Sequence, residues 1–323
     1  MPVERLLGFD IGGTKCAVIL GELHGDGATV LERAVFATDK NGGPGPVLAR
    51  LADEARRLCG ARGVALEAVR GIGISCGGPL DRARGVILSP PNLPGWDDVP
   101  IVAHFERTLG IPTRLENDAN ACALAEHRWG AGRGCRHMIF LTFGTGMGAG
   151  LILNGELYAG ANDLAGEVGH VRLAEDGPVG YGKAGSFEGF CSGGGIAEAA
   201  RAAVRRGIAV SFAPEGTDLA EINALVVAEA AARGDVVAQE IFTTAARYLG
   251  RGLAMLIDVF NPERIILGGI FGRCRELLWP IAKSVIEQEA LPAGVRACQI
   301  LPAALGESIG DHAALFVAST ARK

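Results

Sequence analysis

Residues 7–21 read LGFDIGGTKCAVILG, and about 130 positions later residues 139–154 read IFLTFGTGMGAGLILN. Each stretch is an apolar run, a turn of glycine and threonine, and a second apolar run. One supersecondary unit therefore occurs twice, and an internal repeat constrains the architecture before any finer reading. Glycine lets backbone N–H groups approach a ligand closely. Thr14 and Thr145 set a hydroxyl beside those amides, and Asp10 adds a carboxylate at the first turn. A turn offering amides and hydroxyls without side-chain bulk is a phosphate cradle. Two of them face to face would hold a polyphosphate. An ordinary Gly-containing hairpin is the alternative, but repetition of the whole unit favours the cradle. Neither turn matches G-x-x-x-x-G-K-[ST], and neither sets G-x-G-x-x-G between strand and helix, so a P-loop and a dinucleotide fold are both disfavoured.

A chain of 323 residues, 49% of them apolar, is expected to form about two domains with substantial cores. The net charge of −5 carries no electrostatic footprint for nucleic acid. No run of 18 apolar residues occurs, and the N-terminus enters a strand within a few positions, so neither a membrane span nor a signal peptide is expected. The eight cysteines are scattered with no C-x-x-C pair. Cys16, Cys76 and Cys122 lie in apolar or glycine-rich stretches, as buried reduced thiols do, which points to the reducing cytoplasm.

Helical spacing predicts helices over 46–59, 101–109, 119–129 and 236–260, and alanine-rich helix from Ile196 onward. Short buried strands are predicted at 69–76, 85–88, 113–115 and 264–267, the last ending in Gly268-Gly269. Between the second hairpin and Ile196, residues 158–195 are glycine-rich and weakly periodic. Strands alternating with helices argue for an α/β fold, and two hairpin-led halves for two lobes with a central cleft.

Asp118 follows Glu116-Asn117 at the head of a helix, where a carboxylate can be an N-cap. The same position suits a general base that takes a hydroxyl proton during phosphoryl transfer. Glu167 and His170, three apart in GEVGH, and Glu188 in SFEGFCSGG set carboxylates and an imidazole beside exposed backbone. Such groups can grip the vicinal hydroxyls of a sugar. A metal pair at Glu167 and His170 would need a second, matching motif.

The segments FDIGGTK, PNLPGW, ENDANACALAE, LTFGTGMGAGLILNGELYAGANDLAGEVGH and FNPERIILGG run in one order, with LGESIGDHAAL as a continuation. Together they resemble the ROK family (repressors, open reading frames and kinases) of the actin-like ATPase and hexokinase superfamily, over nearly the whole chain. The resemblance implies a two-lobed actin-like (ribonuclease H-like) fold. Residues 1–117 with 308–323 would form a smaller lobe and 118–307 a larger one. It implies that Asp10 organises Mg²⁺ through water, while Gly12, Gly13, Thr14 and Lys15 line the first phosphate turn. Gly144, Thr145 and Gly146 would form the second turn, and Gly268 and Gly269 would let the adenosine approach. Asp118 would be the base. Asn92, Asn117, Glu167, His170 and Glu188 would bind sugar hydroxyls, with Gly78 in the pocket wall.

Two departures stand out. Many members follow the histidine with C-x-C-G-x-x-G-C, a zinc loop, whereas residues 171–195 here contain only Cys191. One cysteine and one histidine cannot supply a tetrahedral structural site, so no structural zinc is expected. The family's repressors also begin with a DNA-reading winged helix, for which no room precedes Leu6, and no nucleic-acid or membrane partner is expected. The function implied is ATP-dependent phosphorylation of glucose or a close relative at the C6 hydroxyl, in a cytoplasmic protein that is a homodimer by family analogy. The alternatives are a kinase for N-acetylglucosamine or N-acetylmannosamine, and a non-catalytic sugar sensor. Intact Asp10 and Asp118 speak against the sensor.

Overall fold

The computed structural model describes residues 4–25 and 27–321. Residues 1–3, on which the expectation about the N-terminus partly rests, lie outside them. The elements in chain order are β1 (Glu4–Ile11), β2 (Lys15–His24), β3 (Gly27–Ala37), α1 (Pro44–Ala61), β4 (Val69–Cys76), β5 (Leu80–Asp81), β6 (Val86–Ile87), α2 (Ile101–Leu109), β7 (Thr113–Asn117) and α3 (Asp118–Trp129). There follow β8 (Met138–Leu141), β9 (Ala149–Leu153), β10 (Glu156–Tyr158), β11 (Val179–Gly180), β12 (Lys183–Ala184), α4 (Phe187–Cys191), α5 (Gly193–Arg205), α6 (Ala224–Ala232) and α7 (Val236–Phe260). The chain ends with β13 (Arg264–Leu267), α8 (Ile270–Glu289), α9 (Pro292–Ala297), β14 (Gln299–Pro302) and α10 (Ile309–Thr320).

Two five-stranded sheets share one topology. The first runs β3-β2-β1-β4-β7 and the second β10-β9-β8-β13-β14. Each begins with an antiparallel hairpin, adds a third antiparallel strand on its outer side, and continues inward with two parallel strands. The repeat seen in the hairpins therefore extends to whole sheets. The third strand, β3, was not anticipated. All but one of its residues are half-buried or exposed, so it lacks the buried apolar run that marked its neighbours.

The central strands are apolar on both faces because helices cover both. Leu7, Phe9, Ile72 and Ile74 pack with Val47, Leu51 and Phe105 from α1 and α2 on one side of the first sheet. On its other side Leu6 and Ile19 meet Ala314, Leu315 and Ala318 of α10. That helix lies very close: a Cβ on Gly73 would overlap the Ala314 carbonyl and the Ala318 amide. The second sheet repeats the device at Gly150, where a Cβ would overlap Ala123 of α3. Helices α3 and α10 pack on each other through Ala121, Ala125, Ala313 and Val317. The order is thus sheet, α10, α3, sheet. The far side of the second sheet carries the larger core, built from α4 to α8. The longest helix, α7, spans the predicted 236–260 and ends at left-handed Asn261 before Pro262; Asp235, which accepts from Ala238 N, caps its start.

Candidate active site

Strands β1 and β4 run parallel and end side by side, with Ile11 opposite Cys76, and β7 ends beside β4, with Asn117 opposite Cys76. Asp10, the Gly77-Gly78 turn and Asn117-Asp118 therefore emerge at one edge of the first sheet. In parallel α/β sheets the crevice beyond the strand C-termini is where ligands bind.

Asn117, and not Asp118, caps α3: its Oδ1 accepts from Ala119 N at 3.0 Å and Asn120 N at 3.3 Å. This corrects the capping reading of Asp118, which is the first residue inside the helix. Asp118 is solvent-exposed and yet ringed by protein, as on a cleft floor. That crowding pushes its carboxyl above the ordinary range, and the Ala119 N–H, which it also accepts at 2.8 Å, pulls back. A methyl placed on Gly77 would stand 3.7 Å from Asn92 Nδ2 and 3.9 Å from Asp118 Oδ2, and one on Gly78 would stand 3.4 Å from Asn117 Nδ2. Asn92, Asn117, Gly78 and Asp118 thus meet around one point. A Cβ on Gly13 would overlap the Asn92 carbonyl, so the first glycine turn packs directly on this group.

Asp10 is half-buried, and its carboxyl is pushed up to about 6 by burial and by the charges of Asp118 and Asp311, with Arg33 and Lys15 pulling the other way. Neighbouring turn residues Gly12 and Thr14 are anchored from β3 and just beyond it, where Thr38 donates to Gly12 O and its own amide bonds Thr14 O at 3.0 Å. Thr14 and Lys15 are exposed.

The second turn is longer than the first, spanning 142–148 between β8 and β9. Gly144 and Thr145 are exposed, and helix starts seat their carbonyls: Gly193 N donates to Gly144 O at 2.9 Å and Gly194 N to Thr145 O at 3.1 Å. Ile270 N, at the start of α8, donates to Phe143 O at 2.9 Å. Two helix N-termini, those of α5 and α8, therefore converge on this turn and bias it toward an anion. Gly268 and Gly269 lie against it. A Cβ on Gly269, whose φ is +58°, would overlap the Phe143 carbonyl. The Ser-Gly-Gly-Gly run at 192–195 was missed as part of the site. Its signal was legible, since three glycines opening a helix are costly unless backbone must approach backbone.

Glu188 lies against the second turn. Its carboxylate accepts from Met147 N at 2.8 Å, and a Cβ on Gly146 would stand 2.7 Å from its Oε2. Glu167 and His170 flank a single 3₁₀ turn at Val168–His170, and both are exposed. Burial raises the Glu167 carboxyl, the charges of Asp118 and Glu188 raise it further, and His170 lowers it. These four side chains consequently share one electrostatic environment. Asn92, Asn117, Gly78 and Asp118 gather beside the first turn, while Glu167 senses the charges of Asp118, Glu188 and His170.

The pattern described as ROK family matches residues 6–320. The chain belongs to the ROK family. It is 32% identical to the glucokinase of Thermotoga maritima over 321 residues, covering 96% of each chain. Its fold matches the ROK hexokinase from Thermus thermophilus with a TM-score of 0.79 at 33% identity, covering 98% of both chains. It also matches a ROK family glucokinase from Streptomyces griseus, determined in complex with glucose and AMPPNP, with a TM-score of 0.75 at 32% identity over 98% of this chain and 99% of that one. The architecture is the two-lobed actin-like ATPase fold.

Within this ROK chain the segment after His170 forms a small hairpin, β11–β12, turning at Tyr181-Gly182. Lys183 Nζ donates to the His170 carbonyl at 2.8 Å, and the Tyr181 ring meets the imidazole edge-on with centroids 6.0 Å apart. Cys191 lies apart from His170, buried in the larger core, where its thiol donates to Ala245 O at 3.3 Å.

Proposed function

We propose that the protein transfers the γ-phosphate of ATP to the C6 hydroxyl of glucose or a close relative, with Asp118 as general base. The observation that carries this reading is a raised, solvent-reachable carboxylate between two Gly-Thr turns, beside Asn92, Asn117 and Glu167. The reading is supported by relatives named glucokinase and hexokinase, one of them determined with glucose and AMPPNP.

In this reading Asn92, Asn117, Glu167, His170 and Glu188 bind the sugar hydroxyls, with Gly78 in the wall. Asp118 accepts the proton as the hydroxyl oxygen attacks phosphorus. Its elevated carboxyl makes it a better base than an ordinary aspartate. Residues Gly12 to Lys15 and Gly144 to Gly146 cradle the phosphates with amides and hydroxyls, and Gly268 and Gly269 leave room for the adenosine. Phosphoryl transfer needs positioning and charge stabilisation more than covalent help, so these groups suffice.

Among the described residues no three His, Cys, Asp or Glu converge to hold a metal unaided. Asp10 nonetheless fits Mg²⁺: it is an under-compensated carboxylate near two others, which a divalent cation would relieve. Mg²⁺ keeps most of its water and takes one or two carboxylates plus substrate phosphates, so Asp10 would hold it through water. When bound, the ion neutralises phosphate charge. The lobes would be 1–117 with 308–323 against 118–307, and their closure would exclude water and suppress ATP hydrolysis. A homodimer and a cytoplasmic location complete the reading.

A coupled assay for ADP over glucose, mannose, fructose, N-acetylglucosamine and N-acetylmannosamine tests it. Glucose or a close relative is expected to give the highest kcat/KM. Asp118→Asn should lower kcat by roughly 10²–10⁴. Because Asn117 provides the cap, melting temperature should hold. Sugar-independent ADP release, or near-normal turnover in Asp118→Asn, would overturn the assignment.

A further inference from the structure

Arg82, just after β5, bonds two carboxylates that lie far apart in the chain. Its Nε donates to Asp163 Oδ1 at 2.8 Å, a second guanidinium nitrogen lies 2.7 Å from the same oxygen, and its backbone N–H donates to Asp163 Oδ2 at 3.2 Å. On its other side it donates to Glu116 Oε2 at 2.8 Å. The remaining oxygen of Glu116 accepts from Asn117 N at 3.0 Å and from Asn120 Nδ2 at 3.1 Å. Glu116 therefore grips the first turn of α3 on either side of Asp118.

Asp163 belongs to the loop that leads from β10 to Glu167. It sits at φ 62°, in the left-handed region that aspartate tolerates better than most residues, so the loop turns sharply here. Its side chain is 19% exposed and that of Glu116 only 9%, so Arg82 is a partly desolvated counter-ion for both. Among the described residues this is the one ion pair joining residues 4–117 to residues 118–307.

We propose that Arg82 is a positioning residue that couples the loop bearing Glu167 to the helix start bearing Asp118, so that the sugar-gripping carboxylate and the base keep a fixed separation. The proposal rests on the kinase reading above, and its chemistry is local. Without the guanidinium, Asp163 keeps only the Arg82 backbone N–H and loses its charged partner, and Glu116 loses the charge that lets it sit buried beside Asn117. The loop and the helix start would then settle independently. Sugar contacts span both segments, whereas the phosphate turns contain neither Arg82 nor its partners. The loss should therefore fall on the sugar side.

The test compares Arg82→Met, Arg82→Lys and Asp163→Asn in steady-state kinetics, with glucose affinity measured by calorimetry. The expected result is a sugar KM and Kd raised about tenfold in Arg82→Met, with the ATP KM within twofold of wild type; tenfold is about 1.4 kcal/mol. Arg82→Lys keeps the charge without the two-pronged geometry and should fall between. Asp163→Asn changes only the loop side and should reproduce most of the sugar defect, which keeps the test decisive if Arg82→Met fails to fold. The Arg82→Met/Asp163→Asn double variant should be less than additive. Unchanged sugar KM in soluble variants, or sugar and ATP KM rising together with a falling melting temperature, would overturn the coupling and leave the kinase reading standing. A wild-type protein without sugar-dependent ADP formation would bring down both.

Discussion

Asp10 carries the clearest consequence of charge crowding. In the unfolded chain its carboxyl titrates at about 3.8, and in the folded protein at about 6, because burial and the charges of Asp118 and Asp311 penalise the ionised form. The folded state thus holds its proton more tightly, and stability falls as pH rises from about 4 to about 6, then stays level. Asp10→Asn removes that penalty. At pH 7.5 the ligand-free variant should be more stable than wild type by about 1–3 kcal/mol, a few degrees in Tm. The gain should shrink below pH 6 and vanish below pH 4. The same variant should lose kinase activity, since it has no charge for a cation. Equal or lower Tm at pH 7.5 would show that the Asp10 carboxylate is compensated in a way that its neighbours do not indicate.

Glycine, at the scale of elements, decides how closely helices and sheets approach. Gly73→Ala would drive a methyl into the α10 backbone at Ala314 and Ala318, which cannot move aside as a side chain can. It should cost several kcal/mol or abolish soluble expression, about the range of severe core disruption. Gly60→Ala is the control: it lies in α1, is exposed, and has nothing within 4 Å of the added carbon. Improved helix propensity should stabilise it by up to about 1 kcal/mol. Thermal melts of both variants check the pair. The hairpins and α7 were legible in the sequence because each carries its own period and its own punctuation, as Asn261-Pro262 does for α7. Strand β3 was not, since a half-exposed outer strand has no apolar run. The residues around the phosphate turns and Asp118 could be named from local sequence together with the family resemblance. Arg82, Asp163 and Glu116 could not, because an ion pair spanning 81 positions leaves no periodic trace. Asp118 was given the cap because Asn and Asp are adjacent and both suit it; only the backbone angles separate them.

For the whole molecule, the sequence argues that folding does not depend on zinc. The hairpin at 179–184 braces His170 through Lys183 and Tyr181, while Cys191 is committed to the core. Protein purified without added metal should contain far less than one zinc per chain, and a chelator selective for zinc over Mg²⁺ should leave Tm and activity unchanged. Stoichiometric zinc by elemental analysis would mean that a site exists elsewhere in the chain.

The placement of α10 has a further consequence, for synthesis. The first sheet is built from β1 to β4 and β7, yet one of its faces is closed by Ala314, Leu315 and Ala318 of α10. A ribosome releases residues in order, so strands made early wait with a bare apolar face until α10 has left the exit tunnel. The second sheet needs no such wait, because α3 precedes it and α7 and α8 emerge beside it. The half of the protein that is translated first is thus the half that is finished last, and a stalled or nonsense-truncated chain ending before Ile309 would present that open face to chaperones.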